Sequence, residues 1–161
     1  MTPLADNPFA TLTVIVAPAI LTNASSVLCL GTGNRIGRVV DRTRALKMAQ
    51  ARLAPDDARR GAYQAQLDHL HLRARMLLQA LRCFYTSIGA FAAASLISII
   101  GAGILGSSES LFEAGAAMAL VAGTLGVGGL VVGCGIMVRE VRLAVRVLEV
   151  EAGLAPASAP E

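Results

Sequence analysis

The residues in this chain whose types and spacing could do chemistry are arginines clustered around two acids. Asn34, Arg35, Arg38, Asp41, Arg42 and Arg44 fall within a short stretch, and Arg139, Glu140 and Arg142 stand together much later. Arg38 and Asp41 are three apart, as are Asp41 and Arg44, so on a helix Asp41 can pair with either neighbour. Arg73 is a further candidate from the segment between them. Guanidinium groups grip carboxylates and phosphates through paired donors. Two readings follow. Glu140 could meet Arg35 or Arg38, with Asp41 and Glu140 each contacting an arginine and tying separate helices together. Alternatively, the arginines form a basic belt that attracts anionic lipid headgroups.

A second polar group, Thr22, Asn23 and Ser26, lies inside an otherwise apolar run just after Pro18. Asn23 in hydrocarbon must find a hydrogen-bond partner. It either lines a water path or bonds between helices. Other chemistry is excluded. Gly31-Thr32-Gly33-Asn34-Arg35-Ile36-Gly37 departs from a phosphate-binding turn, because its third glycine is one place late and no strand precedes it. His69 and His71 are two apart and point to different helix faces. Cys29, Cys83 and Cys134 have no metal-ligand spacing and read as small packing residues. No nucleophile–base arrangement stands out, so the expectation is a non-enzyme without metal or cofactor. The net charge of +3 does not imply nucleic acid, since no aromatic platform is interleaved with the basic residues.

The elements that must position these groups are membrane spans. Of 161 residues, 55% are hydrophobic and mean hydropathy is +0.62. Three uncharged runs, 12–30, 84–105 and 114–138, approach or exceed the roughly 20 residues that cross a bilayer. Eleven of the fourteen Lys and Arg residues lie in Arg35–Arg82, and the other three are Arg139, Arg142 and Arg146. Basic residues stay on the cytoplasmic side. The segment between the first two spans and the tail 139–161 are therefore expected inside. Residues 1–11 and the 106–113 loop, which carry acids only, are expected outside. No basic region precedes the first span, so a cleaved signal is not expected. Thirteen of the fourteen basic residues are Arg, a bias that suits a GC-rich bacterial genome, and the expected location is a bacterial inner membrane.

The basic segment is itself patterned. Ile36, Val39, Thr43, Leu46, Gln50 and Leu53 follow a three-four spacing, and so do Tyr63, Leu67, Leu70, Ala74, Leu77 and Leu81. These are seams of two helices facing each other. Ala54-Pro55-Asp56-Asp57 between them is a breaker followed by capping residues. Residues 34–82 therefore read as an antiparallel helical hairpin, continuous with both adjoining spans. Thr43 and Gln50 either set register or leave the seam weak. Rows of small residues, Ala90-Ala94-Ser98-Ala102, Gly115-Ala119-Gly123 and Gly129-Gly133, allow close helix packing within or between subunits.

Asn34-Arg35-x-x-Arg38-x-x-Asp41-Arg42-x-Arg44, then Leu70-x-x-Arg73-x-Arg75, then Arg139-Glu140-Val141-Arg142 resembles the bacterial membrane family known as domain of unknown function 2721, over about residues 10–150. The resemblance implies a small protein with three spans and carries no activity, ligand or partner. The expectation is one all-α integral membrane domain over 1–161. It has three transmembrane helices and a cytoplasmic antiparallel hairpin, with the N-terminus outside and the C-terminus inside. It would be a scaffold or accessory subunit that self-associates or binds a membrane partner. The alternative is a small oligomeric channel lined by Thr22, Asn23 and Ser26.

Overall fold

A computed structural model describes residues 8–104 and 109–154, with side chains over 16–101 and 113–145. It contains three helices: α1 (Pro8–Ala51), α2 (Arg59–Ile104) and α3 (Glu109–Leu154), of 44, 46 and 46 residues. There is no strand among the described residues. All three helices are long and apolar enough to cross a membrane. The expected spans lie inside them, apart from residue 105, which is outside the described residues. α1 passes through Pro18 as continuous helix. The 106–113 loop is shorter than expected: α3 already begins at Glu109, and residues 105–108 lie outside the described residues.

The chain divides into two compact units, each drawing on all three helices. Unit 1 comprises Met1–Gly31 and Leu81–Gly133, and unit 2 comprises Thr32–Ala80 and Cys134–Glu161. In unit 1 the interior is small or aromatic. Ser25, Cys29, Phe84, Ser87, Phe91 and Ala94 are buried, and three α3 glycines sit against α2. A Cβ on Gly133 would stand 2.5 Å from the Phe84 ring, and one on Gly126 would stand 2.6 Å from the Phe91 ring. On Gly129 it would meet the Ser87 hydroxyl at 2.6 Å. These positions must lack a side chain for the backbones to approach this closely. The large aliphatic residues point out: Ile20, Val27, Leu30, Leu120, Leu125 and Val131 are all exposed. Water would penalise that arrangement, whereas lipid favours it.

Unit 2 is arranged the ordinary way. Val39, Leu70 and Leu77 form its core, with Ile36, Leu46, Ala74 and Met137 packed around them. Every position of the two expected seams is buried or half-buried. The hairpin is not two-stranded, however. Met137 and Glu140 bring α3 into the same bundle, a third helix that the seams did not anticipate. Thr43 donates its hydroxyl to the Val39 carbonyl one turn back (2.8 Å), so its polarity is satisfied locally and does not set register.

The turn follows from its residues. Pro55 cannot continue a helix, and Asp57 caps the next one. The Arg59 backbone N–H donates to Asp57 Oδ1 at 2.9 Å, and the Arg59 guanidinium bonds both carboxylate oxygens at 3.1 and 2.8 Å. This cap holds the Asp57 carboxyl at a pKa of about 2, well below the usual carboxylate range.

Candidate functional site

Among the described residues the only buried acid is Glu140, on α3 in unit 2, which is 1% exposed. An isolated buried carboxylate would be very costly. Two arginines prevent that. Arg73 of α2 places both its Nε and its Nη2 at 2.8 Å from Glu140 Oε1, and Arg35 of α1 places Nη1 3.5 Å from Oε2. One carboxylate therefore joins all three helices of unit 2. Both guanidinium groups keep part of their surface in contact with solvent, which lowers the cost of holding two cations on one anion. Thr32 lies in the same unit, buried, with its hydroxyl 3.7 Å from the Met137 sulfur.

The other members of the expected cluster are not gathered here. Asn34, Arg38, Asp41, Arg42, Arg44 and Arg139 are exposed. Asp41 makes no ion pair with a described residue, contrary to the expectation that it contacts Arg38 or Arg44. At an exposed position water solvates both groups, so a pair gains little against side-chain entropy. Asp41 also lies about half a turn from the seam residues Ile36, Val39 and Thr43, on the face of α1 turned away from the core.

The polar residues of unit 1 divide as well. Thr22 donates to the Pro18 carbonyl (2.8 Å), Ser25 to Leu21 (2.8 Å) and Ser26 to Thr22 (2.9 Å). These hydroxyls are satisfied by their own helix. Asn23 is exposed and hydrogen-bonds to no described residue. Cys29 is buried, as a small packing residue would be, and Ser25 and Thr32 are buried positions of α1 that the sequence reading did not place in the interior. The signal existed: they continue the Ile36–Val39 three-four spacing upstream, but small polar residues do not read as a seam.

Glu140 is held by two guanidinium groups, so the arrangement joins α1, α2 and α3 within unit 2. His69 and His71 are exposed. Among the described residues no three His, Cys, Asp or Glu side chains converge as metal ligands do. The cluster, all of α2 and most of α1 and α3 fall inside a match between residues 15–150 and the family described as Protein of unknown function (DUF2721). The chain belongs to that family. No curated protein and no solved structure matches. As a family member with three apolar helices, it is a multi-pass membrane protein.

Proposed function

We propose that this protein is a non-enzymatic scaffold or accessory subunit of a membrane assembly, in which unit 2 is the rigid part offered to a partner. The observation that carries this reading is the Glu140 clamp: a single buried charge joins α1, α2 and α3. Such a bond fixes one helix arrangement, and breaking it leaves charges uncompensated. A shape held this firmly serves recognition, and Leu72 and Leu78 of unit 2 are apolar side chains left exposed. The basic segment lies on the cytoplasmic face of a bacterial inner membrane, with the N-terminus outside and the C-terminus inside, by the distribution of arginine. Anionic headgroups there meet Arg38, Arg42, Arg44 and Arg139.

A small oligomeric channel is the second reading, favoured by one observation, the outward-facing Asn23. Co-purification from native membranes separates the two. The scaffold reading expects a stoichiometric partner that is retained in mild detergent and lost with Leu72→Glu or Leu78→Glu, while the melting temperature stays put. A chain that purifies alone and conducts ions in planar bilayers overturns it. Orientation is read by labelling Ser108→Cys with an impermeant thiol reagent. Labelling in intact spheroplasts is expected, and labelling only after lysis refutes the topology.

A further inference from the structure

The outer face of α1 in unit 1 carries a stripe that contains the one carboxamide among that unit's described residues. Val16, Ile20, Asn23, Val27 and Leu30 follow one another at steps of four, three, four and three, and all five are exposed. That is the spacing of a seam along which one helix packs against another. The opposite face of α1, with Ser25 and Cys29, already has its partners inside the chain. We propose that a second copy of this chain docks on the stripe, with the two Asn23 carboxamides hydrogen-bonded to each other across a two-fold axis.

The carboxamide is the reason something must cover this face. Asn23 lies twelve residues before Arg35, about 18 Å along the helix at 1.5 Å per residue, which is deep within a hydrocarbon layer about 30 Å thick. Its amide offers two donors and an acceptor oxygen, none of which is used by a described residue. Thr22, Ser25 and Ser26 return their hydroxyls to the carbonyl one turn back. Asn23 makes no such bond, and lipid supplies no alternative.

Symmetry selects a second copy over a different protein. All copies of a membrane chain insert in the same direction, so a two-fold axis along the membrane normal brings residue 23 of each copy to the same depth. A carboxamide is self-complementary: each NH2 group donates to the other carbonyl. A different partner would need its own polar group at that depth. One small-residue row, Gly126, Gly129 and Gly133, is already occupied by Phe91, Ser87 and Phe84 of the same chain, and the Gly115-Ala119-Gly123 row carries no polar side chain that lipid would leave unsatisfied. Along the sequence the stripe spacing continues through Asn34 and Gly37 to Asp41. Asp41, unpaired with its own arginines, would find Arg38 or Arg42 of the second copy. A seam of two helices in direct contact leaves no lumen, so the pairing argues against the channel.

The test uses the full chain in phosphatidylcholine liposomes. With Cys29, Cys83 and Cys134 replaced by alanine, single cysteines are placed from Val16 to Leu30 and oxidised. Disulfide-linked dimers are expected at Val16, Ile20, Asn23, Val27 and Leu30, and not at Leu21, Ala24 or Leu28. Energy transfer between labelled copies, measured against dilution in lipid, should show a dimer that Asn23→Leu weakens about 3- to 20-fold and Asn23→Gln preserves. Asn23 is exposed, so neither variant should disturb the monomer's fold. A chain that stays monomeric at every density, cross-links on another face, forms trimers or larger rings, or pairs as tightly with Asn23→Leu overturns the proposal. Pairing here without retrieval of any partner from native membranes keeps this inference while removing the scaffold reading.

Discussion

Phe84 and Phe91 of unit 1 lie against glycines of α3, while Leu70 and Leu77 of unit 2 lie against Val39 of α1. The same three helices thus use two packing rules. In unit 1 the contacts are backbone to ring, small residues point inward, and Leu120, Leu125 and Val131 point outward. In unit 2 an aliphatic core of Val39, Leu70 and Leu77 points inward, and Arg38, Asp41, Arg42 and Lys47 point outward. Apolar burial drives association in water. In lipid it does not, and close van der Waals contact has to replace it. The packing of unit 1 is the kind lipid favours, and the core of unit 2 is the kind water favours.

The sharpest way to break the comparison is to put a charge in the core of unit 2. Leu70→Asp removes an aliphatic core contact and buries a carboxylate without a partner, so it should cost about 3–5 kcal/mol. Protease resistance and melting equal to the parent would mean that this core does not hold unit 2 together. The matching change in unit 1 goes the other way, by adding bulk. Gly133→Val drives methyl groups into the buried Phe84 ring and should cost about 1–3 kcal/mol. Leu125→Ala, an apolar truncation at an exposed site in the same unit, should stay within about 0.5 kcal/mol. If Leu125→Ala proved as damaging as Gly133→Val, the inside-out reading of unit 1 would fail.

A third comparison lies within the charged residues. Glu140→Gln keeps the volume and removes the charge that two arginines share. It should lower stability by about 1–3 kcal/mol, less than for a fully buried pair because Arg73 and Arg35 are partly solvated. Asp41→Asn should melt within about 0.5 kcal/mol of the parent in detergent that keeps the chain monomeric. Equal losses would show that Asp41 belongs to the clamp after all.

These contrasts also mark what was legible in the sequence. The spans, the turn at Pro55 and the seams of α1 and α2 could be read because each repeats a simple period over many residues. The candidate clamp was half legible. Arg35 and Glu140 suggested each other, because both sit at the end of an apolar run on the same side. Arg73 as the closer partner depends on how α2 and α3 align, and no local pattern reports that alignment. Asp41 was misjudged because spacing shows which residues can meet along a helix but not whether water competes for them. The Gly129-Gly133 row was visible as a close-packing surface, yet spacing could not say that Ser87 and Phe84 of the same chain fill it, or that Gly126 extends it against Phe91.

The smallest effect expected is at the turn, where Asp57 caps α2. Its carboxyl is held at about 2 from an ordinary 3.8, first by the hydrogen bond from the Arg59 side chain and then by the Arg59 backbone N–H. The folded pKa is depressed, so the carboxylate's contribution is complete above about 4. It is lost as the pH falls from about 4 to 2, when the folded chain takes up the proton that the unfolded chain binds more readily. Asn at this position still caps a helix N-terminus, so Asp57→Asn removes the charge and keeps the cap. The melting difference between parent and variant should therefore be small and constant from pH 7 to about 4, then vanish toward pH 2. Every other group is common to both proteins and cancels in that difference. The pair is exposed, so salt should shrink the difference further. A difference that persists unchanged at pH 2 would show that Asp57 acts through its shape alone and that its contact with the Arg59 guanidinium contributes nothing.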